Sequence, residues 1–474
     1  MNFLKSFAKF SIGTWISAGI SIFSTPILTW FIKPEEFGKS SMFVLAYSLL
    51  TSLLCFSLDQ GFCRYFNEKI DNERPSLLAS SLLLPFLGCL IGILGIEIFK
   101  YDLLNILFSS KEEIIIIRIL QISIPIGVIS KFTNASLRMQ LNASFYSIVQ
   151  IFTAVLNVAI TLIYAHYISS SYYAILAGFI ISQFGGVFMS IFLDFKFWRK
   201  AMPFLILIDK KTIKDLFVYS LPFVPIFLID WLFQGLDRTF LRIYSNFFEI
   251  GLYATATKIS YSLNIIQSGF TTFWVPFSYE KYHKEPESIS IYSVIFNGFA
   301  ICFGIIILSI LLFQKLILLV ISAEYVNVVN IFPVLLLIPM MYTLSEITVV
   351  GINFKKQTKL HLYIIIISLL INLVFAYLLI PNLGALGAAI SMAVGYLIFF
   401  ILRTLIAKKY YDVKVNIKKF FATLSILLIP IISSMINFTY TEVLCVFSLL
   451  LLLVTYKNDI KVMILALKNN QLSV

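Results

Sequence analysis

Long apolar runs recur along the sequence, and they constrain the fold more than any other feature. A helix needs about 20 apolar residues to cross a bilayer. Fourteen runs have roughly that length, and they lie at 10–32, 41–63, 77–99, 113–133, 144–166, 173–194, 216–236, 250–276, 290–313, 328–352, 360–380, 384–405, 418–437 and 440–456. Transmembrane β-strands would be shorter and would alternate between polar and apolar residues. We therefore expect an all-α polytopic membrane protein with about 14 transmembrane helices.

The composition supports this class of protein and argues against several others. Of the 474 residues, 59% are hydrophobic and 13% are charged, whereas soluble proteins are roughly 45–50% apolar and about 25% charged. The net charge of +12 would suggest a nucleic-acid partner for a soluble protein, but no nucleic-acid-binding pattern is present. The 5 Cys and 3 His residues show no metal-ligand spacing. We expect no metal, no other cofactor and no nucleic acid.

The basic residues predict the orientation of the chain. If the N-terminus lies in the cytoplasm, most of the 36 Lys and Arg residues fall in cytoplasmic segments between spans, as the positive-inside rule requires. Only Arg118 and Lys258 then remain within spans. An even number of spans returns the chain to the side on which it starts, so we predict that both termini are cytoplasmic.

The two halves of the chain resemble each other. The segment EEFGKSSMFVLAYSLL at 35–50 is similar to FEIGLYATATKISYSL at 248–263. The segment LNVAITLIY at 156–164 is similar to INLVFAYLL at 371–379. The two matches have nearly the same offset, which indicates an internal repeat of the kind found in alternating-access transporters.

The repeat predicts the domain organisation. We expect two six-helix bundles related by pseudo-two-fold symmetry, at 1–195 and 215–405, with a central cavity between them. The segment 196–214 is predicted to be a cytoplasmic amphipathic linker, because its apolar middle lies between basic flanks. Residues 406–474 would add two peripheral helices and a cytoplasmic tail.

Several motifs occur in a recognisable order. They are KPEEFGKSS (33–41), LDQGFCRYF (58–66), LRMQLNASFYSI (137–148), LPFVPIFLIDWLFQGLDRTFL (221–241), EIGLYATATKIS (249–260), ISAEYVNVVNIFPVLLL (321–337) and IPNLGALGAAIS (380–391). Over about residues 1–405, this series resembles the bacterial polysaccharide repeat-unit flippases of the O-antigen (Wzx) type. These belong to the multidrug/oligosaccharidyl-lipid/polysaccharide exporter superfamily.

The resemblance implies a transporter rather than an enzyme. Its substrate would be an undecaprenyl-pyrophosphate-linked oligosaccharide repeat unit, moved by alternating access from the cytoplasmic to the outer leaflet of the bacterial inner membrane. The product would serve the assembly of lipopolysaccharide O-antigen, capsule or exopolysaccharide. A proton or cation gradient, or polymerisation of the product, would drive transport. The implied partners are membrane lipid, a polysaccharide polymerase and a chain-length regulator.

Charged and polar residues inside the spans are the candidates for function, because ionisable groups are costly in hydrocarbon. Asp230, Gln234 and Asp237 follow a helical spacing of i, i+4 and i+7. We predict that Asp230 and Gln234 contact the substrate. Asp237 and Arg238 either gate or couple transport, or form an ion pair that caps the helix.

Four further residues complete the set of candidates. Arg118 and Lys258 either contact an anionic substrate or each neutralise a buried acid. Asp59 either couples or gates transport, or pairs with Arg64 or with a basic residue of another helix. Glu346 either carries a proton during transport or is a hydrogen-bonded packing residue.

Two other functions remain open. A multidrug or cation exporter of the same superfamily would need a cavity dominated by acids, whereas two unexplained cations favour an anionic cargo. A polysaccharide polymerase would need a substantial outer loop, and the predicted outer connections are all short.

Overall fold

The structure, a computed structural model, describes residues 3–108, 113–205, 209–285, 290–355, 357 and 359–461. These ranges contain helices and connecting turns but no β-strand. The chain divides into two compact units, Met1–Gly235 and Leu236–Val474. Residues 206–208 of the predicted linker, and the predicted tail from residue 462 onwards, lie outside the described residues.

The first unit contains ten complete helices and the beginning of an eleventh. They are α1 (Phe3–Thr29), α2 (Pro34–Leu54), α3 (Leu58–Phe66), α4 (Arg74–Ile98), α5 (Lys100–Phe108), α6 (Ile114–Met139), α7 (Ala143–Tyr167), α8 (Tyr172–Leu193), α9 (Phe195–Ala201), α10 (Lys210–Ser220) and α11 (Phe223–Tyr244). Helix α6 packs against α2, α4 and α8. The buried rings of Phe62, Phe66 and Phe132 contact one another where α3 meets α6.

The second unit begins within α11. It then contains α12 (Phe247–Ser260), α13 (Asn264–Lys284), α14 (Ser290–Leu312), α15 (Gln314–Val320), α16 (Val328–Leu335), α17 (Leu337–Thr348), α18 (Val350–Phe354), α19 (Lys359–Lys408), α20 (Ile417–Met435) and α21 (Thr441–Thr455). Helix α17 packs against α13, α14 and α19. The buried Trp274 packs edge-on against Tyr292, with 5.5 Å between the ring centroids.

The helices confirm the predicted all-α membrane fold. Within the described ranges, ten helical segments are long and apolar enough to cross a membrane, and an eleventh is added if the bent pair α10–α11 forms one span. Each of the fourteen predicted spans falls on a helical segment. Ten or eleven segments are fewer than fourteen for three reasons. Helix α19 covers two predicted spans, and the predicted span 250–276 is divided between α12 and α13. Helix α21 has only 15 residues.

The kink in α19 separates two predicted spans. Gly384 has φ of 51° and ψ of −129°, which is not a helical conformation. Glycine reaches positive φ without the steric cost that a Cβ would impose. Pro381 lies three residues earlier and cannot donate a backbone hydrogen bond. The polypeptide therefore turns back between 360–380 and 384–405.

The described part of the linker contains two short helical segments and a capped helix start. Helix α9 and the 3-10 turn Met202–Leu205 both pack on α4. At the start of α10, the Asp209 carboxylate accepts a hydrogen bond from the Lys211 backbone N–H at 3.1 Å. A further hydrogen bond from the Thr212 hydroxyl holds the pKa of Asp209 below its usual value.

Helices α20 and α21 pack on α14. Polar contacts hold them at both ends. Asn297 donates a hydrogen bond of 2.7 Å to Asp459, just after α21. Ser434, near the C-terminal end of α20, donates a hydrogen bond of 2.8 Å to Gln314. These contacts attach the last two helices to α14 and α15 of the second unit.

Close packing of α7 on α8 depends on Gly178, which has no side chain. A Cβ at Gly178 would lie 2.7 Å from the backbone oxygen of Asn157 and would also overlap the Thr161 hydroxyl. Asn157 donates a hydrogen bond of 3.3 Å to Ser182 in the same contact. Small residues and interhelical hydrogen bonds are the usual means of helix association in membranes.

We predict that Gly178→Val lowers the thermal unfolding midpoint in detergent, because the overlap falls on backbone and costs about 1–3 kcal/mol. Gly95→Val is the matched control, since a Cβ at Gly95 has nothing within 4 Å. Equal midpoints for the two variants would contradict the described α7–α8 contact.

Candidate functional site

Asp230 and Gln234 are exposed on α11. The Gln234 side-chain amide donates a hydrogen bond of 2.9 Å to Asp230. An exposed side chain on a spanning segment faces lipid or water, and a carboxylate in lipid would be costly. The pair therefore favours a water-filled face of α11 within the first unit.

Other residues of α11 contact α2 and α6 in the first unit. The Trp231 indole N–H lies 3.1 Å from the Ser48 hydroxyl and 3.2 Å from the Leu45 backbone oxygen. The Lys131 ammonium donates to Ser52 at 3.2 Å and lies 5.7 Å from the centroid of the Phe227 ring. Helices α2, α6 and α11 thus form one wall that combines a cation, hydroxyls and aromatic rings.

Lys131 was missed as a candidate because the predicted span ended at residue 133. Helix α6 continues to Met139, so Lys131 lies eight residues before its end, about 12 Å along the axis. The sequence-based assignment placed Lys131 in a cytoplasmic segment, but the residue lies well inside α6. This helix is long and apolar enough to cross a membrane.

Asp59 follows a break between α2 and α3. Phe56 and Ser57 have positive φ values of 50° and 54°, a conformation that residues other than glycine rarely adopt. Asp59 is 8% exposed and accepts hydrogen bonds from Gln60 at 2.8 Å and from the Cys55 thiol at 3.6 Å. It lies in the first turn of α3, where the helix dipole stabilises a carboxylate.

The proposed pairing of Asp59 with Arg64 is wrong, because Arg64 forms an ion pair with Glu68 one turn later. Asp59 and Arg64 are five residues apart and lie on different sides of the short helix. In the part of the chain that the structure describes, Asp59 forms no ion pair.

Arg118 pairs with an acid that sequence reasoning missed. Its guanidinium forms two hydrogen bonds to Glu97, one of them at 3.2 Å, and a third to Gln121 at 3.0 Å. Lys100 binds the same carboxylate at 2.7 Å. The arrangement favours neutralisation of an acid by Arg118, one of the two roles expected from the sequence.

Asp237 lies in the second unit and is completely buried. The Tyr253 hydroxyl of α12 donates a hydrogen bond of 2.9 Å to one carboxylate oxygen. The other oxygen, and the Nε of the neighbouring Arg238, have no hydrogen-bond partner among the described residues. No ion pair between Asp237 and Arg238 is present in this part of the chain.

Lys258 is exposed although its helix is otherwise enclosed. Every residue of α12 from 250 to 257 is buried, whereas Lys258 and Tyr261 are exposed. The helix then ends at Ser260 and gives way to the 3-10 turn Tyr261–Leu263. The helical segment on the eighth predicted span is therefore interrupted shortly after Lys258.

Glu346 is paired with Arg403, and the side chains of both are 12% exposed. Arg403 also donates to the Ser345 hydroxyl at 3.1 Å and lies 4.3 Å from the centroid of the Phe399 ring. Sequence reasoning counted Arg403 among the cytoplasmic residues and therefore missed this partner. The contacts favour a packing role for Glu346, one of the two expected from the sequence.

The candidate residues fall into separate groups. Asp230, Gln234, Asp59 and Arg118 belong to the first unit, and Asp237, Arg238, Lys258 and Glu346 belong to the second. In the described ranges, no group of three or more His, Cys, Asp or Glu side chains has a geometry suited to a metal ion.

The chain is similar to a protein family and to a curated relative. The profile of a family described as "Polysaccharide biosynthesis protein" matches residues 3–281. An uncharacterised membrane protein of Methanocaldococcus jannaschii is 24% identical over 384 residues, which cover 75% of this chain and 74% of the relative.

Two solved structures have a similar fold. The lipid II flippase MurJ, in an inward closed conformation, superposes with a TM-score of 0.70 at 14% identity, covering 97% of this chain and 99% of MurJ. An inward-facing multidrug resistance transporter of the MATE family, in the MOP superfamily, has a TM-score of 0.62 at 13% identity. That match covers 87% of this chain and 96% of the transporter. At these identities the likeness concerns the fold alone.

The Glu346–Arg403 pair yields a test of stability. We predict that Glu346→Ala lowers the free energy of unfolding by about 3–5 kcal/mol, because it leaves a buried guanidinium without its acid. A double substitution of both residues by Met should cost less than Glu346→Ala alone, since no unpaired charge remains. Thermal unfolding in detergent provides the measurement.

Arg64→Ala is the control, because the Arg64–Glu68 pair is about half exposed and pairs of this kind contribute only about 0.3–0.5 kcal/mol. A Glu346→Ala variant as stable as Arg64→Ala would exclude a structural role for the Glu346–Arg403 pair.

Proposed function

Because the chain belongs to the polysaccharide biosynthesis protein family, we propose that it is a flippase for an undecaprenyl-pyrophosphate-linked oligosaccharide repeat unit. The unit moves from the cytoplasmic to the outer leaflet by alternating access. The observation that carries the proposal is the exposed Lys258 on the otherwise buried α12. A cation retained at such a position suits an anionic cargo.

The polar residues can divide the recognition of this cargo between them. Each unit carries a cation that would attract a pyrophosphate, Lys258 in the second and Lys131 in the first, and the attraction is stronger at low dielectric than in water. Asp230 and Gln234 provide hydrogen-bond acceptors and donors for sugar hydroxyls. Arg118 is a weaker candidate for substrate contact, because Glu97 and Gln121 already occupy its guanidinium.

Asp237 is the best candidate for coupling to a proton or cation gradient. It is buried, and one of its two oxygens lacks a hydrogen-bond partner among the described residues. Such an oxygen can accept a proton or contribute a ligand to a cation. Arg238, Asp59 and Glu346 are the remaining candidates for gating, with Glu346 held by Arg403.

The setting that we propose follows from this cargo. The protein would lie in the bacterial inner membrane with both termini in the cytoplasm. It would deliver repeat units for O-antigen, capsule or another polysaccharide to a polymerase and a chain-length regulator. We propose no enzymatic step and no cofactor.

Loss of the protein should cause lipid-linked oligosaccharide to accumulate on the cytoplasmic leaflet. We predict that wild type clears this material and that Lys258→Ala and Asp230→Ala clear it at least ten times more slowly, because each loses a contact with the headgroup. Lys258→Arg should retain part of the activity, since it keeps the charge. The measurement is lipid extraction from the deletion strain complemented with each variant.

Arg64→Ala serves as a control for expression, since Arg64 pairs with Glu68 in an exposed contact. If every variant cleared the intermediate as wild type does, Lys258 and Asp230 would have no role in transport.

An exporter of cations or drugs is the second candidate, supported by the fold shared with the MATE transporter. It predicts that deletion changes sensitivity to organic cations without any accumulation of lipid-linked sugar. The same deletion strain therefore distinguishes the two functions.

Asp237→Asn should make transport insensitive to the driving gradient, because the amide keeps the bond to Tyr253 but no longer ionises. The measurement is transport into inverted vesicles with and without an imposed proton or sodium gradient. Asp230→Asn is the control and should remain sensitive. A gradient response in Asp237→Asn equal to that of wild type would exclude Asp237 as the coupling residue.

A further inference from the structure

The same hydrogen bond occurs once in each unit. In the first unit, the Glu36 carboxylate accepts from the backbone N–H of Tyr172 at 2.7 Å, and Tyr172 is the first residue of α8. In the second unit, the Glu249 carboxylate accepts from the backbone N–H of Ala385 at 2.8 Å. Ala385 follows the kink at Gly384 and begins the second segment of α19. We call these contacts the Glu36 latch and the Glu249 latch.

The two latches occupy equivalent positions in the repeat. Donor and acceptor are 136 residues apart in both cases. Glu249 follows Glu36 by 213 residues, and Ala385 follows Tyr172 by the same 213. This is also the offset between the similar segments 35–50 and 248–263. Because Tyr172 and Ala385 lie outside those segments, the structure provides evidence for the repeat that is independent of the sequence match.

Each latch places a negative charge against the start of a helix. The first N–H groups of a helix have no partner within it, and the helix dipole stabilises an anion there. A hydrogen bond to a carboxylate is also stronger than one between neutral groups. Each latch therefore joins two helix starts that are far apart in sequence. The Glu36 latch joins α2 to α8, and the Glu249 latch joins α12 to the second segment of α19.

The helices that the latches hold carry the proposed pathway residues. Helix α12 contains Lys258, and its Tyr253 binds Asp237. Helix α2 contributes Ser48 and Ser52, which bind Trp231 and Lys131. A latch that fixes the start of either helix thereby fixes the position of the groups that it carries.

The two latches differ in the contacts that surround them. In the first unit, the Tyr172 hydroxyl binds Glu113 at 2.9 Å, and Lys39 lies 3.3 Å from Glu113 and 4.0 Å from Glu36. In the second unit, Ala385 occupies the position of Tyr172, and Leu252 occupies the position of Lys39. Neither has a polar side chain. The room for the Glu249 carboxylate comes instead from Gly384, where a Cβ would lie 2.5 Å from it.

We propose that Glu36 and Glu249 are equivalent positioning residues for transport, and that the Glu249 latch depends more strongly on its single carboxylate. The predicted effect of the latches on transport rests on the flippase function proposed above. The latches themselves are tested without any substrate.

Hydrogen–deuterium exchange of the full chain in nanodiscs measures the latches directly. We expect Glu249→Ala to speed exchange around Ala385 at least tenfold, and Glu249→Gln to restore much of the protection, because its amide oxygen still accepts the hydrogen bond. Glu36→Ala should speed exchange around Tyr172 by a smaller factor, because the Tyr172–Glu113–Lys39 contacts remain. Glu324→Ala and Glu35→Ala are controls, since both carboxylates are exposed.

Transport by the same variants tests the positioning role. Glu249→Ala should lower the maximal rate severalfold, and Glu249→Gln should recover it in proportion to the regained protection. Unchanged exchange around Ala385 in Glu249→Ala, or equal changes in the controls, would overturn the latch. Faster exchange with an unchanged transport rate would overturn the positioning role. Failure of wild type to move lipid-linked oligosaccharide would instead refute the proposed function, and the exchange result would still decide the latch.

Discussion

The cost of an uncompensated charge in hydrocarbon governs where this chain places its polar groups. Some basic groups have an acidic partner, as Arg403 has Glu346 and Arg118 has Glu97. Asp230 and Lys258 are exposed on helices α11 and α12. A membrane helix can keep a charge in such a position only where water or a polar cargo reaches it. Each of these exposed groups is therefore a candidate contact for the headgroup in the function that we propose.

The internal repeat gives both units a common framework on which different chemistry is built. The Glu36 and Glu249 latches occur at equivalent positions, yet the surrounding residues differ. The first unit combines Lys131 with hydroxyls and aromatic rings, whereas the second combines Lys258 with a buried acid and an interrupted helix. The two hydrogen bonds keep one spacing of 136 residues in both units, whereas the side chains around Lys131 and Lys258 differ.

Hydropathy predicted the helices well because the bilayer imposes a length on every span. It predicted their ends less well, so Lys131 and Arg403, which lie close to predicted helix ends, were not recognised as a candidate residue and as the partner of Glu346. Partners distant in sequence, such as Glu97 for Arg118, depend on which helices pack together and leave no local signal. The break after Lys258 was also missed, because the apolar run continues through it.

The most direct test of the flippase function uses purified protein in liposomes that contain a polyprenyl-pyrophosphate-linked oligosaccharide with a fluorescent sugar. A membrane-impermeant quencher added outside reports which leaflet holds the sugar. With labelled lipid initially confined to the inner leaflet, the account predicts that wild-type protein exposes the sugar to the quencher and that Lys258→Ala does so at least tenfold more slowly. Equal exposure in protein-free liposomes and in liposomes with wild-type protein would contradict it.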